Sequence, residues 1–444
     1  MPDSGTSKRT GTRAGDPADS DAPADSGAAT ESPASAPPGD APPEGAPPGT
    51  PGPGRSRRRL RDRRGFRIAA AAFVLILAWF SWSMGHALTS PGGGTLSERA
   101  AEWARDHDLG PLVTFGEWVS YTSPKVGGKP SFSLTEGAAA KAAGAGAPGR
   151  RGPSATASPA PPQPGFAVPA PLTSPAGKPL PGEGQWRSLY AVNNVPAIYA
   201  TFLRPDNVHT SFVAGIVSMN PHLLRFELRP GAEDPGPGSY GGAAPVLAAG
   251  ARHGLAATFN GGFKIASSGG GFYLNGTHRG GPLRKGVASM VYYRNGDFTI
   301  GTWDENGLVM TPAIAGVRQN LGPIVLGGKV PPTVDQNVET NWGATLGGNY
   351  YVWRSGIGIT ADGRIIYVYG PALSVRSLAS LLARAGAVTA MELDINPDWT
   401  NFMYYQPGQH PFNPKPVSLL PDQVQPPARY YSPANRDFTA VFAR

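Results

Sequence analysis

The sequence predicts an α+β protein: a mixed, antiparallel-rich sheet with flanking helices, preceded by one transmembrane helix and disordered Pro/Ala/Gly-rich segments. Three observations carry this expectation. Residues 68–88 (IAAAAFVLILAWFSWSMGHAL) hold no Asp, Glu, Lys or Arg. Residues 185–444 contain short runs rich in β-branched and aromatic side chains, some of them separated only by Asn-Gly or Asp-Gly. The 60 Gly and 49 Pro among 444 residues mean that much of the chain never joins a core.

Along the chain, residues 1–54 are almost entirely Pro, Ala, Gly, Ser, Asp and Glu, with three basic against eight acidic side chains. Such a segment buries too little apolar surface to offset its ordering entropy, so a disordered cytoplasmic tail is expected. Residues 55–67 (RSRRRLRDRRGFR) form a juxtamembrane polybasic segment with eight Arg against Asp62. Most of the formal charge of +8 sits in this run, and the apolar segment directly after it sets its meaning. About 20 apolar residues span a hydrocarbon core, and basic flanks stay on the cytoplasmic side. Residues 68–88 therefore read as a transmembrane signal-anchor helix, in a single-pass protein of the cell membrane with an extracytoplasmic C-terminal part. A cleaved signal peptide starts closer to the first residue and has a shorter apolar region. No nucleic-acid partner is implied. With no Cys in the chain, no disulfide staples the exterior part and no thiolate acts as nucleophile or ligand.

Next come a membrane-proximal helix and stalk over 95–134, where Thr95 and Glu98 stand at capping-box spacing, and a Pro/Ala/Gly-rich linker over 135–184. Residues 185–444 are long enough for one sizeable domain. Strands are expected at "AIYATFL", "TSFVAGIVSM" and "LRFELR", and hairpins at "ASMVYY–RNGD–FTIGTW" and "GIGIT–ADG–RIIYVYG". Helical patterns cover Ala243 to His253 and Ser374 to Ala385, the second with an apolar stripe of Leu378, Leu381 and Leu382 and a stop at Gly386.

The stretch "MELDINPDW" (residues 391–399) interleaves Met391, Leu393 and Ile395 with Glu392, Asp394 and Asn396. Strand side chains alternate faces, so the polar three are expected to share the face opposite the core. Two carboxylates roughly 7 Å apart push their pKa values apart and leave one as a proton donor near neutrality. An ordinary wet strand face, or a divalent-cation site on the same carboxylates, are the other readings of this segment; no cofactor is otherwise implied. Upstream, Gly261 and Gly262 in "TFNGGFKI" permit close backbone approach to a ligand, flanked by Asn260 and Lys264. Arg354, between Trp353 and an apolar run, is a charge that needs a partner. No P-loop, dinucleotide fingerprint, nucleophile elbow or H-E-x-x-H spacing occurs.

Together, "TFNGGFKI", "GVASMVYYRNGDFTIGTW", "RQNLGPIVLGGK", "WRSGIGITADGRIIYVYG" and "LASLLARAGAVTAMELDIN" resemble the phosphodiester glycosidase family, over about Leu189 to Phe402. The resemblance implies cleavage between a sugar's anomeric carbon and a phosphodiester. It places Asn260, Gly261, Gly262 and Phe263 at the site through the NGGF motif, Arg354, Ser355 and Gly358 through Arg-[Thr/Ser]-x-x-Gly, and Asp394 at a strand end. The family pattern continues from that Asp as Gly-Gly-Gly-Ser, whereas this chain has Ile395, Asn396, Pro397 and Asp398, with Glu392 where Asn is usual. The expected function is a membrane-anchored phosphodiester glycosidase with Asp394 and Glu392 as catalytic acids. Asn260, Gly261, Gly262, Lys264, Arg354, Ser355 and Asn396 are the expected substrate contacts. The partner would be a phosphate-containing glycan or glycolipid of the cell envelope, and residues 185–444, with 20 basic against 15 acidic side chains, suit an anionic polymer. The competing reading is a catalytically degenerate, membrane-tethered module that binds envelope polysaccharide.

Overall fold

A computed structural model describes residues 56–89, 96–120, 122–135, 166–336, 342 and 351–444. The tail expected over 1–54, and residues 136–165 of the expected linker, lie outside the described residues. The chain forms two compact units, Met1–Ala72 and Phe73–Arg444.

Helix α1 (Ser56–Thr89) runs without interruption through the basic and the apolar segments. Its portion Arg64–Thr89 is long and apolar enough to cross a membrane, and Phe73, Leu75 and Ile76 on it are exposed. Helix α2 (Leu96–Asp106) sets Trp103 on the second unit's part of α1: the indole donates to Ser83 Oγ at 3.0 Å and meets Phe80 edge-on. Helix α3 (Gly110–Ser120) comes next.

The strands begin with β1 (Arg187–Val192), β2 (Val195–Leu203), β3 (Ala214–Met219) and β4 (Leu224–Arg229). Then come β5 (Leu255–Asn260), the one-turn helix α4 (Ile265–Ser268), β6 (Phe272–Leu274) and β7 (Thr277–Arg279). They continue with β8 (Ala288–Tyr293), β9 (Phe298–Thr302), β10 (Ile314–Gln319) and β11 (Pro323–Leu326). The last third holds β12 (Val352–Thr360), β13 (Ile365–Leu373), helix α5 (Val375–Arg384), β14 (Ala387–Glu392), β15 (Phe402–Gln406), β16 (Lys415–Ser418) and β17 (Phe438–Ala443).

Three sheets result, ordered β1-β2-β3-β13-β12-β14-β11, β7-β6-β10-β8-β9 and β16-β15-β5-β17-β4. Every ladder between these strands is antiparallel. The two expected hairpins form as β8–β9 and β12–β13, with Gly296 at φ +86° and Gly363 at φ +89°, where a side chain would strain the backbone.

One core gathers the inner faces of all three sheets, including Tyr367 and Met391 from the first, Phe272 and Met290 from the second, and Phe259 and Val441 from the third. On the other face of the seven-stranded sheet, Leu378, Leu381 and Leu382 of α5 pack against Ile366, Val368 and Ala390. Each such fully buried leucine contributes roughly 2 kcal/mol of transfer free energy.

Two sequence expectations change here. Residues 243–253 form only a single 3-10 turn, Ala249–Ala251, rather than a helix. The backbone around Pro245 is spent elsewhere: Leu247 N donates to Tyr430 O at 2.8 Å, and Pro245 O accepts from Ala434 N at 2.7 Å. Residues 166–184, expected as the end of a linker, pack against the strands. Leu172 and Leu180 touch the cores, and buried Glu183 accepts from Ser174 Oγ at 2.7 Å and from Arg204 Nη2 at 3.0 Å.

Helix α5 starts on a capping box, with Ser374 Oγ accepting from Ser377 N at 3.0 Å and Ser374 N donating to Ser377 Oγ at 2.8 Å. Ser374→Ala should therefore lower unfolding free energy by about 1 kcal/mol in a urea titration, with the m-value unchanged.

Candidate active site

The C-terminal ends of β5 and β14 and the N-terminal ends of β12 and β17 converge where the three sheets meet. A small pocket there is lined by Asn260, Gly261, Gly262, Asp394, Arg436 and Asp437, with Trp399 and Tyr430 among the other walls.

Strand β14 ends at Glu392, so the face alternation expected through Asn396 stops there. Beyond it the chain turns: Asn396 N donates to Asp394 Oδ1 at 2.9 Å, and Asn396 O accepts from Trp399 N at 3.0 Å and Thr400 N at 2.9 Å. This carries Asp394 into the pocket, where its Oδ2 lies 3.1 Å from Arg436 Nη2. Ser355 fixes the base of the turn, its N at 3.1 Å and its Oγ at 2.8 Å from Asp394 O.

Glu392, 1% exposed, does not line this pocket. Its Oε1 accepts from Arg354 Nη1 at 2.6 Å, and its Oε2 is buried without a partner. Burial pushes its carboxyl up from 4.5 to about 7, outweighing the opposite pull of the Arg354 guanidinium; the nearby Asp394 charge adds to the rise. Arg354 is thus turned toward Glu392 and Leu373 O, 3.0 Å from its Nε, and it too is absent from the pocket walls.

Asn260 lines the pocket, but its amide is engaged within the protein. Nδ2 donates to Gly261 O at 2.8 Å and Ser355 Oγ at 3.0 Å, while Oδ1 lies 2.6 Å from Tyr367 Oη and accepts from Asn401 N at 3.1 Å. The two glycines serve a different close approach from the one expected. A Cβ on Gly261 would lie 2.1 Å from Asp437 Oδ2, and one on Gly262 would lie 2.8 Å from Asn320 Oδ1. Protein side chains, not a ligand, occupy the space that the missing Cβ atoms leave. Lys264, half-buried, pairs with Asp106 at 3.0 Å, and half-buried Asn396 closes the turn on Asp394.

Sequence reasoning missed Arg318, Asn320, Arg436 and Asp437. Arg318, fully buried, donates to Asp437 Oδ2 at 3.0 Å, to Gln319 O at 2.6 Å and to Phe263 O. Asn320 Nδ2 donates to Glu392 O at 2.6 Å. A local signal did exist. Arg318-Gln319-Asn320 comes directly after the apolar "IAGV", and Asn435-Arg436-Asp437 precedes "FTAVF", so each sets charge against a buried strand, as Arg354 does. Among the described residues, no group of three or more His, Asp or Glu side chains could hold a metal ion.

Residues 253–394 match the phosphodiester glycosidase family model, so the chain carries a domain of that family. Curated proteins give no match. Among solved structures, the catalytic domain of zebrafish N-acetylglucosamine-1-phosphodiester alpha-N-acetylglucosaminidase, auto-inhibited by its pro-peptide, is 13% identical. That match covers 64% of this chain and 97% of the zebrafish one, with a TM-score of 0.38. A hypothetical protein from Synechocystis is 14% identical over 57% of this chain and 63% of its own, with a TM-score of 0.32.

Two measurements check this geometry. Gly261→Ala should cost about 2 kcal/mol, because its Cβ must displace a buried carboxylate, and the loss should appear as a lower denaturation midpoint. For Glu392 the sign comes from a folded-state pKa raised above the ordinary 4.5. The folded form binds the extra proton, so the stabilisation is full below about 4.5 and is lost as pH rises through about 7. Melting temperatures should show wild type losing stability relative to Glu392→Gln across that window, and a constant difference would refute the raised value.

Proposed function

We propose that this chain is a membrane-anchored, extracytoplasmic phosphodiester glycosidase that cleaves a sugar-1-phosphodiester in an envelope glycopolymer or glycolipid. The observation that carries this reading is Asp394, the last residue of the family match, held in the pocket by Arg436 and the Asn396 amide. Cleaving the bond from the anomeric carbon to the phosphate oxygen develops positive charge on the sugar and leaves negative charge on the phosphate. Asp394 is the group for the first, as nucleophile or as ion-pair partner of an oxocarbenium-like transition state. Arg436, beside it, is the cation for the second.

The remaining residues of the sequence-based site support these two. Asn260 and Ser355 hold the turn that presents Asp394. Gly261 and Gly262 let Asp437 and Asn320 close the wall behind it, and the Arg354–Glu392 pair braces β12 against β14. Asn396 closes the turn that carries Asp394, and Lys264, a little beyond the glycines, would meet a substrate that extends past the pocket. The polybasic run before Arg64–Thr89 supports an inside N-terminus, which leaves the domain outside the membrane. Its net positive charge suits an anionic polymer.

A non-catalytic envelope-binding module is favoured by one feature, the Ile395-Asn396-Pro397-Asp398 turn standing where the family pattern has glycines. The full chain in detergent, incubated with sugar-1-phosphodiesters and followed by phosphorus NMR, separates the two. Wild type should release a phosphomonoester, and Asp394→Ala should be slower by at least about 100-fold. Absence of turnover, with saturable binding of envelope polymer that survives Asp394→Ala, would replace the enzyme by the binding module.

A further inference from the structure

We propose that Asp437 is the general base of this site, taking the proton of the water that attacks the anomeric carbon while Asp394 faces the charge developing on the sugar. The assignment rests on the glycosidase reading above and supplies the second carboxylate that reading needs.

Two acidic side chains, Asp394 and Asp437, line the pocket. Both oxygens of Asp394 are held, one by Asn396 N and one by Arg436. Asp437 differs. Its Oδ2 is fixed by Arg318 Nε at 3.0 Å, while its Oδ1 has no hydrogen-bond partner in a residue only 1% exposed. A buried carboxylate oxygen left without a partner carries its desolvation penalty unrelieved, and such an atom in a pocket wall has capacity for a water or a substrate hydroxyl. Glu392 also has an unpartnered oxygen, Oε2, but its side chain is turned to Arg354, away from the pocket walls.

The surroundings suit a base. Arg318 orients the carboxylate through the other oxygen, as a base must be oriented. Gly261 has no Cβ, and the Asp437 carboxylate occupies that space. Burial raises the Asp437 carboxyl above its ordinary range, against the pull of Arg318, which makes it a better proton acceptor than an exposed aspartate.

The step balances without a co-reactant. The water oxygen forms a bond to the anomeric carbon, and one water proton moves to Asp437 Oδ1. The bond from that carbon to the phosphate oxygen breaks, and its electron pair stays on the oxygen. A free sugar and a phosphomonoester leave, and Asp437 returns the proton to solvent. A phosphate leaving group needs little protonation, so a base is the more valuable second carboxylate.

The test uses the full chain in detergent, a sugar-1-phosphodiester that wild type turns over, and the variants Asp437→Asn and Asp437→Glu. Asp437→Asn should lower kcat by about 100-fold or more with little change in KM, and should flatten the acid limb of the kcat profile. Added formate should restore part of its rate and leave wild type unchanged. Should Asp437→Asn fail to fold, Asp437→Glu serves, with a lower kcat and a displaced limb expected. A folded variant with wild-type kcat and an unaltered pH profile would overturn the assignment while leaving the glycosidase standing. Absence of turnover by wild type on any such substrate would overturn both.

Discussion

Two side chains, Arg318 at the end of β10 and Asn320 just beyond it, hold the site together, and the buried pair between Arg318 and Asp437 is central to their links. From one strand of one sheet, Arg318 reaches the start of β17 and the carbonyl of Phe263 after β5, while Asn320 reaches the carbonyl of Glu392 at the end of β14. Three sheets with a shared apolar core could slide against one another, because apolar contact has no direction. A fully buried guanidinium held by directional hydrogen bonds cannot slide. Losing either partner leaves a buried charge uncompensated, at about 3–5 kcal/mol. The convergence of four strand ends on Asp394 is a result of that constraint.

What the sequence made legible was local. The β8–β9 and β12–β13 hairpins were readable because Asn-Gly and Asp-Gly favour the positive φ found at Gly296 and Gly363. Helix α5 was readable because its leucine stripe and its Gly386 stop agree. Ala243 to His253 misled because the pattern of apolar residues there says nothing about its backbone partners: Leu247 N donates to Tyr430 O, and Pro245 O accepts from Ala434 N. Gly261 and Gly262 were expected to let a ligand come close, and protein side chains come close to them instead. The approaching groups, Asp437 and Asn320, lie far off in sequence, and no spacing rule could name them.

The "MELDINPDW" segment shows the same limit. Acids alternating with apolar residues predict one polar face, but the strand stops at Glu392 and the next residues wind back on themselves. One carboxylate is left sealed against Arg354 and the other delivered to the pocket. The bulky residues at 395–398 are the material of that turn: the Asn396 amide and carbonyl close it, and it sets Trp399 as a wall. That turn therefore supplies one side of the pocket while keeping Asp394 in it.

The position of β17 between β5 and β4 has a consequence in time. Arg436 and Asp437 emerge during synthesis 119 residues or so after the guanidinium that will hold Asp437, and later still than Gly261 just past β5, against which the carboxylate rests. Pairings this distant along the chain form slowly, since loop closure must precede any gain from contact. Until β17 inserts, the polypeptide can hold most of its strands and lack both Arg436 and the second acid of its pocket. Assembly order would then act as a clock, with the walls of the pocket completed in one late event.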